Sequence, residues 1–445
     1  MWRFLALLAK VLYPKWFPSI IILLFAYMFV LGLLGRANAQ ISPATFTFTG
    51  STRPQEGTDF RKIFAGEELK VGLMRLYPFL GIAETYTDNA FKTKTKRKND
   101  FIHTVAPGLQ AQLRLGGQHR LIVDYRASQQ YSQRFSNNDV LSQDAIGLLA
   151  LNFPGDLKVD LQGGHTEGYD PRGSELDIQQ TDITTWNTNS FLGSMEWFSS
   201  SVGFNLTVNT LSWNFENNNQ GPTRDRWSHT ADFTVFGSIA SKTSVLLNFN
   251  FEKENYAQNK QLDSFTYGMS TGLRWAATGK TTGIIRAGYA VLNFDRARVK
   301  QPSGSLLNSG GNKQEIFSVD GDLRWNPTTR ASINIRPFRS IEQAAIFNTA
   351  TFVRTGVFIR ARQGIGARTN LTGTFRISQD EFEEDEDSAA SNRRDLRVLG
   401  AIGFDYQAIR WLGLRVDYRF ERRSSNANQF DYFANTIMLS IQGLL

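Results

Sequence analysis

The chain contains no cysteine, and that absence removes a disulfide framework, a thiolate nucleophile and an acyl-cysteine lipid anchor together. By itself it names no compartment. Histidine is almost as scarce: His103, His119, His165 and His229 are scattered, with no i, i+4 pair to hold zinc on a helix and no thiol to complete another metal set. Ser228-His229 is the single adjacent Ser/His pair. Neighbours on a strand project to opposite faces, so that hydroxyl and imidazole cannot engage each other. No glycine-rich phosphate loop opens a helix, and Gly364-Ile365-Gly366 reads as a turn. No catalytic residue, metal or cofactor is expected, and the chain is not read as an enzyme.

Long apolar runs are missing as well. Past residue 40 nothing resembles the stretch Ile20–Leu34, so nothing there can cross a membrane as a helix. A hydrophobic content of 41% and a mean hydropathy of -0.30 are too polar for a helical membrane protein. They suit a transmembrane barrel, in which only alternate residues face lipid. The net charge of +8 and pI near 9.5 do not point to nucleic acid, because the basic residues are dispersed among aromatic strands with no block beyond Lys92–Lys98.

The first forty residues read as an export signal. Arg3, Lys10 and Lys15 precede the apolar run, and Ala37-Asn38-Ala39 offers a small-residue cleavage site. The competing reading is an uncleaved anchor, for which the run is short. The expected organisation is a signal peptide at 1–39, a periplasmic tail at 40–70 and an outer-membrane barrel at 71–445.

What the chain does have is a period of two. Leu412, Leu414, Val416, Tyr418 and Phe420 alternate with Gly413, Arg415, Asp417, Arg419 and Glu421, which describes a strand between two solvents. The pattern recurs at 73–87, 101–114, 119–134, 141–153, 156–168, 181–197, 200–214, 226–238, 242–256, 263–276, 280–294, 313–326, 329–342, 349–361, 366–379, 394–408, 411–423 and 432–445. Every second connection is a tight polar turn, such as Pro154-Gly155 or Asn326-Pro327-Thr328, and the intervening ones are mostly longer. A soluble sandwich has no reason to sort loop length by parity. The expected fold is all-β, a transmembrane antiparallel up-and-down barrel of about 18 strands with short periplasmic turns and long extracellular loops.

Aromatic residues near strand ends, Tyr77, Phe79, Trp197, Phe198, Trp275, Trp325, Trp411, Tyr432 and Phe433, are expected to form headgroup girdles. Alternation turns Arg324, Arg336, Arg354, Arg360, Arg376, Arg397, Arg415 and Arg419 to the lumen with Asp405, Asp417 and Glu421. Earlier strands add Asp124, Asp160, Glu196, Asp232, Glu252 and Glu254. These are the candidate pore-lining residues: a basic arc facing an acidic one, which favours anions, or cross-strand pairs that knit the wall. The long, Gly/Ser-rich loop Arg296–Asn312 is the candidate for folding into the lumen. Asp380–Asp387 reads as a solvated acidic surface loop, with divalent-cation binding as the alternative. Lys92–Lys98 reads as a solvated basic loop or a contact to anionic lipid or saccharide.

Arg75-Leu76-Tyr77-Pro78-Phe79, Tyr86-Thr87-Asp88-Asn89-Ala90-Phe91, Asp100-Phe101 and Pro107-Gly108-Leu109 come in the order found at the start of the Putative beta-barrel porin 2 family. Asn152-Phe153-Pro154-Gly155 and Asp170-Pro171-Arg172-Gly173 also resemble it. The resemblance implies an outer-membrane barrel, in some relatives linked to exopolysaccharide production and export. The expected partners are outer-membrane lipid and lipopolysaccharide, the barrel-assembly machinery and polysaccharide-export proteins. The expected function is a porin-like channel for polar or anionic solutes, polysaccharide among them. The alternative is a non-conducting surface receptor or scaffold.

Overall fold

A computed structural model describes residues 69–444 apart from 117, 175–176, 178–180, 200, 279, 296–312, 347–348 and 383–392. A short strand β1 (Leu69–Val71) pairs with the start of β2 (Met74–Thr87). There follow β3 (Asp100–Arg114), β4 (Arg120–Ser132), β5 (Val140–Phe153), β6 (Leu157–Tyr169), β7 (Thr185–Phe198) and β8 (Val202–Phe215). After a one-turn helix α1 (Gly221–Arg224) come β9 (Arg226–Ala240), β10 (Thr243–Tyr256), β11 (Ser264–Thr278), β12 (Thr281–Phe294) and β13 (Lys313–Thr328). The last six are β14 (Ala331–Ile346), β15 (Thr349–Ile365), β16 (Thr369–Phe382), β17 (Arg394–Ile409), β18 (Leu412–Ser425) and β19 (Tyr432–Leu444). Each pairs antiparallel with its sequence neighbour, and β19 returns to β2 through Ile441↔Ile82 and Leu439↔Glu84. Strands β2 to β19 form a closed barrel of 18 strands, and each corresponds to one of the segments read from the sequence.

Period two makes two faces, and the pairing register carries each face round the barrel. Val123, Phe191, Met269, Phe317 and Leu439 stand about half exposed on the outer face. An exposed apolar surface of this extent belongs against lipid. On β10 the outer row runs Val245, Leu247, Phe249 and Phe251 before it turns polar at Lys253, and on β9 it runs from Ile239 to Ala231 before His229. About ten residues at ~3.3 Å each, tilted by ~40°, rise ~25 Å, the height of a barrel's apolar band. Trp197, Trp275, Trp325 and Trp411 ring the band at the short-turn end, and Trp227, Tyr131 and Phe433 at the long-loop end.

Four of the expected girdle residues face inward. Phe79 packs inside with Ala83 and Ala106, Phe198 lies tilted against Phe236 with ring centroids 5.3 Å apart, and Tyr77 and Tyr432 share the inner rows of β2 and β19. The reason is the alternation itself: the chain neighbour of an outward aromatic points the other way. Ser228 and His229 obey the same rule. Ser228 Oγ approaches Glu252 inside at 3.5 Å, while the His229 ring meets Thr210 outside.

Strand β14 departs from the regular wall. Pro337 has no N–H to give the ladder, and the last β13–β14 pair on the loop side is Val319↔Arg339. Beyond it Ile341 packs on the buried cluster Tyr256, Leu262, Leu292 and Phe294, and Gln343 Nε2 donates to Ser264 Oγ on β11 at 3.3 Å. Strands β14 and β15 also run longer than the alternation predicts, pairing up to Ile346↔Thr349.

Candidate permeation site

Cross-strand partners share a face, so the register locates every charged candidate. Arg324 pairs with Asn334 and Asn334 with Arg360; Arg354 pairs with Asp380; Asp405 pairs with Arg415. Followed round, the pairing puts Asp124, Asp160, Glu196, Asp232, Glu252 and Glu254 on the face opposite the apolar band. Arg336, Arg376, Arg397, Asp417, Arg419 and Glu421 lie there too.

Within that face the side chains fall into two settings. Toward the loop end they are buried and paired. Arg354 holds Asp380 through two bonds of 2.8 and 2.9 Å, with Asp380 0% exposed. Arg226 meets Glu254 at 3.1 Å, and Glu421 takes Lys92 Nζ at 2.7 Å and Arg419 at 3.4 Å. Asp380 is therefore part of strand β16, not of a solvated loop, and Glu381 and Phe382 also lie within the strand; 383–387 lie outside the described residues. The basic run is likewise drawn onto the barrel. Besides Lys92, Lys94 meets Asp431 at 3.0 Å, and Arg97 lies over the Phe433 ring at 4.0 Å.

Toward the turn end the inner face is more open. Arg324, Arg336 and Arg360 are exposed on neighbouring strands β13, β14 and β15, and the Arg336 side chain stays 55% exposed while touching Asp322 at 2.9 Å. Arg376 is half-buried beside Phe338. Arg415 bridges Asp405 at 3.0 Å and Asp417. The β4–β10 side mixes signs, as Arg126 pairs Asp124 at 2.8 Å and Lys158 lies opposite Glu196.

Among the described residues, the loop that enters the barrel lies between β6 and β7. The expected one, 296–312, lies outside the described residues. At Asp170-Pro171-Arg172-Gly173 the chain crosses the mouth to the far wall, where the Gly173 carbonyl accepts from Arg397 Nη2 at 3.1 Å, Tyr432 Oη at 3.2 Å and Arg423 Nη1 at 3.4 Å. Strands β2 to β5 separate the two sides along the wall. Gly173 has φ +72°, and a Cβ there would lie 2.7 Å from Lys92 Cβ, so glycine serves both the turn and the close approach. Asp170 is anchored by the buried Arg224 at 2.7 Å, whose guanidinium lies 3.9 Å from the Phe215 ring. Arg172 donates to Asn138 and to the Thr181 carbonyl. Burial pushes its guanidinium below the usual arginine range, and Asp177 and Asp182 pull it back. Alternation reads strands and says nothing about this docking; the glycine after Asp-Pro-Arg was the available signal.

A closed antiparallel barrel with an apolar belt outside and charged side chains inside is a membrane-spanning β-barrel of porin type. The chain belongs to the family Putative beta-barrel porin 2, whose model matches residues 68–443. The family is described as one of β-barrel porins, which places the chain among outer-membrane barrels. No curated protein matches the sequence. Among solved structures, OpdL of Pseudomonas aeruginosa is 10% identical with a TM-score of 0.45, the match covering 84% of this chain and 99% of that one. The FrpB iron transporter of Neisseria meningitidis is 10% identical at 0.46, covering 83% and 81%. OccAB3 of Acinetobacter baumannii is 9% identical at 0.43, covering 83% and 99%. Likenesses this distant carry no argument of their own.

Proposed function

We propose that the protein is an outer-membrane channel for polar solutes with a preference for anions, acidic oligosaccharides among them. The observation that carries this reading is the group of exposed arginines, Arg324, Arg336 and Arg360, side by side on the inner face of β13 to β15. Each guanidinium in a water-filled lumen lowers an anion's energy by about 0.5 kcal/mol at ~8 Å, roughly a twofold local enrichment per charge. Reconstitution in planar bilayers under a salt gradient tests it: the reversal potential should report anion selectivity, and cation selectivity would overturn the proposal.

One observation favours a second reading, a non-conducting surface receptor or scaffold. The 170–174 segment and the inward half of β14 both crowd the loop-end mouth. Absence of conductance from a correctly folded barrel would favour that reading over the first.

A further inference from the structure

Above Val319↔Arg339 the wall is lapped instead of zipped. Ile341 and Gln343 lie on the face of β14 that Ile333 turns outward lower down, opposite Trp325, and Thr351 on β15 is the cross-strand partner of Gln343 and shares that face. Yet this face meets the inner side of the barrel. Ile341 packs on the cluster Tyr256, Leu262, Leu292 and Phe294, of which Leu292 and Phe294 stand on the inner row of β12. Gln343 Nε2 reaches Ser264 Oγ on β11, and Thr351 Oγ1 donates to Gln314 Oε1 on the inner row of β13 at 3.0 Å. Within the wall, β14 would stand three strand spacings from β11, roughly 14 Å. The end of the β14–β15 hairpin therefore lies inside, across β11 to β13, where Thr351, Phe352 and Val353 are buried. Among the described residues, Lys313–Ser318 of β13 keep a ladder on the β12 side and none with β14.

We propose that the end of the β14–β15 hairpin is a flap with two seats: the inner one seen here, which narrows the loop-end mouth, and a wall seat in which it zips onto the open edge of β13 and clears the lumen. The inference rests on the channel reading and adds control of its mouth. An open strand edge is a template for pairing, and the strand that fits this one is tethered beside it. Continuing the β13–β14 register sets Phe317 opposite Ile341 and Glu315 opposite Gln343. The bend falls where the ladder is weakest: Pro337 has no N–H to give, and next to it Phe338 closes on Gly356, where a Cβ would lie 2.8 Å from Phe338 Cζ. The inner seat is held by burial of Ile341 and by the Gln343 and Thr351 hydrogen bonds. The wall seat exchanges these for backbone ladder bonds, a trade of the kind that makes packed elements bistable.

The absence of native cysteine lets each seat be trapped separately. Phe317 is 57% exposed on the outer face while Ile341 lies inside, so thiols at these positions are held apart in the inner seat. In the wall seat they are direct partners with Cα atoms about 4.5–5.5 Å apart, within disulfide reach. The full chain carrying Phe317→Cys with Ile341→Cys is folded into lipid vesicles, checked by heat-modifiable mobility and oxidised. Glu315→Cys with Gln343→Cys, which leaves Ile341 in place, is treated likewise. A seat occupied only about 0.1–10% of the time is captured progressively, so both pairs should lose most of their maleimide-reactive thiol, and dithiothreitol should restore it. No wall-seat bridge in either pair overturns the proposal. Gln314→Cys with Thr351→Cys, joined by the short bis-thiol reagent dibromobimane, locks the inner seat. In planar bilayers the wall-seat bridge should conduct more than the inner-seat lock, and reduction should return it to the wild-type level. Equal, measurable conductance of the two locked forms overturns control of the mouth. Silence of both, with the wall-seat bridge formed, removes the channel reading and leaves the two-seat flap standing.

Discussion

The turn-end half of the barrel and the loop-end half are made from the same strands but are stabilised by different physics. Near the turns the outer face is apolar and meets lipid, and the inner arginines stay in water. Near the loops the inner face buries charge: Asp380 and Asp395 are 0% exposed, Arg393 and Arg423 3%. Arg393 lies 3.5 Å from the Phe430 ring and 4.1 Å from Phe382. A barrel wall needs only ladder hydrogen bonds and lipid-facing side chains. A barrel mouth crossed by a loop must also satisfy every polar group that the loop covers, and paired guanidiniums and carboxylates do this.

The sharpest way to break this comparison is to remove one carboxylate from each half. Asp380→Ala leaves Arg354 without its bidentate partner in a buried site and should cost about 3–5 kcal/mol in urea unfolding. Asp322 is itself buried and also accepts from Asn334 Nδ2 at 2.6 Å, but its Arg336 partner is 55% exposed and can turn to water, so Asp322→Ala should cost less, about 1–2 kcal/mol in the same measurement. Equal losses would remove the distinction between the halves.

The next effect concerns the two faces of one strand. Phe249→Arg puts a charge on the lipid side and should destabilise by about 2–4 kcal/mol if it lies near the midplane, while Asn250→Arg on the inner face should be far milder. Refolding into bilayers of known thickness, followed by denaturant titration, measures both; the reverse order would mean that the faces are misassigned.

Smaller still is the effect on selectivity. Arg336→Gln and Arg360→Gln should each lower anion preference by roughly twofold, from one charge at ~8 Å in water, without changing stability. Reversal potentials read it, and unchanged selectivity in the double variant would take these residues out of the pathway. At the bottom of the scale, Glu84→Gln breaks only an exposed contact to His103 on the outer surface and should leave the unfolding midpoint unchanged.

The eighteen strands were legible because each must serve lipid on one side and water on the other, which writes a period of two into every segment. Inward orientation of Arg354 or Glu421 followed from the same period. The neighbours they bind did not, because a partner such as Lys92 for Glu421 comes from a loop more than three hundred residues away. The girdle reading failed at Tyr77, Phe79, Phe198 and Tyr432 because strand-end position was used where parity decides.

Alternation along the sequence thus determined the class of fold, the strand count and which side chains share a face, since these depend on contacts between a residue and its solvent. Only the tertiary structure decided that the Asp170–Ser174 segment crosses the mouth, that β14 turns inward past Pro337 and that Arg397 and Arg423 close on one carbonyl. Those outcomes depend on groups brought together by barrel closure, and no local pattern encodes a distance across a lumen.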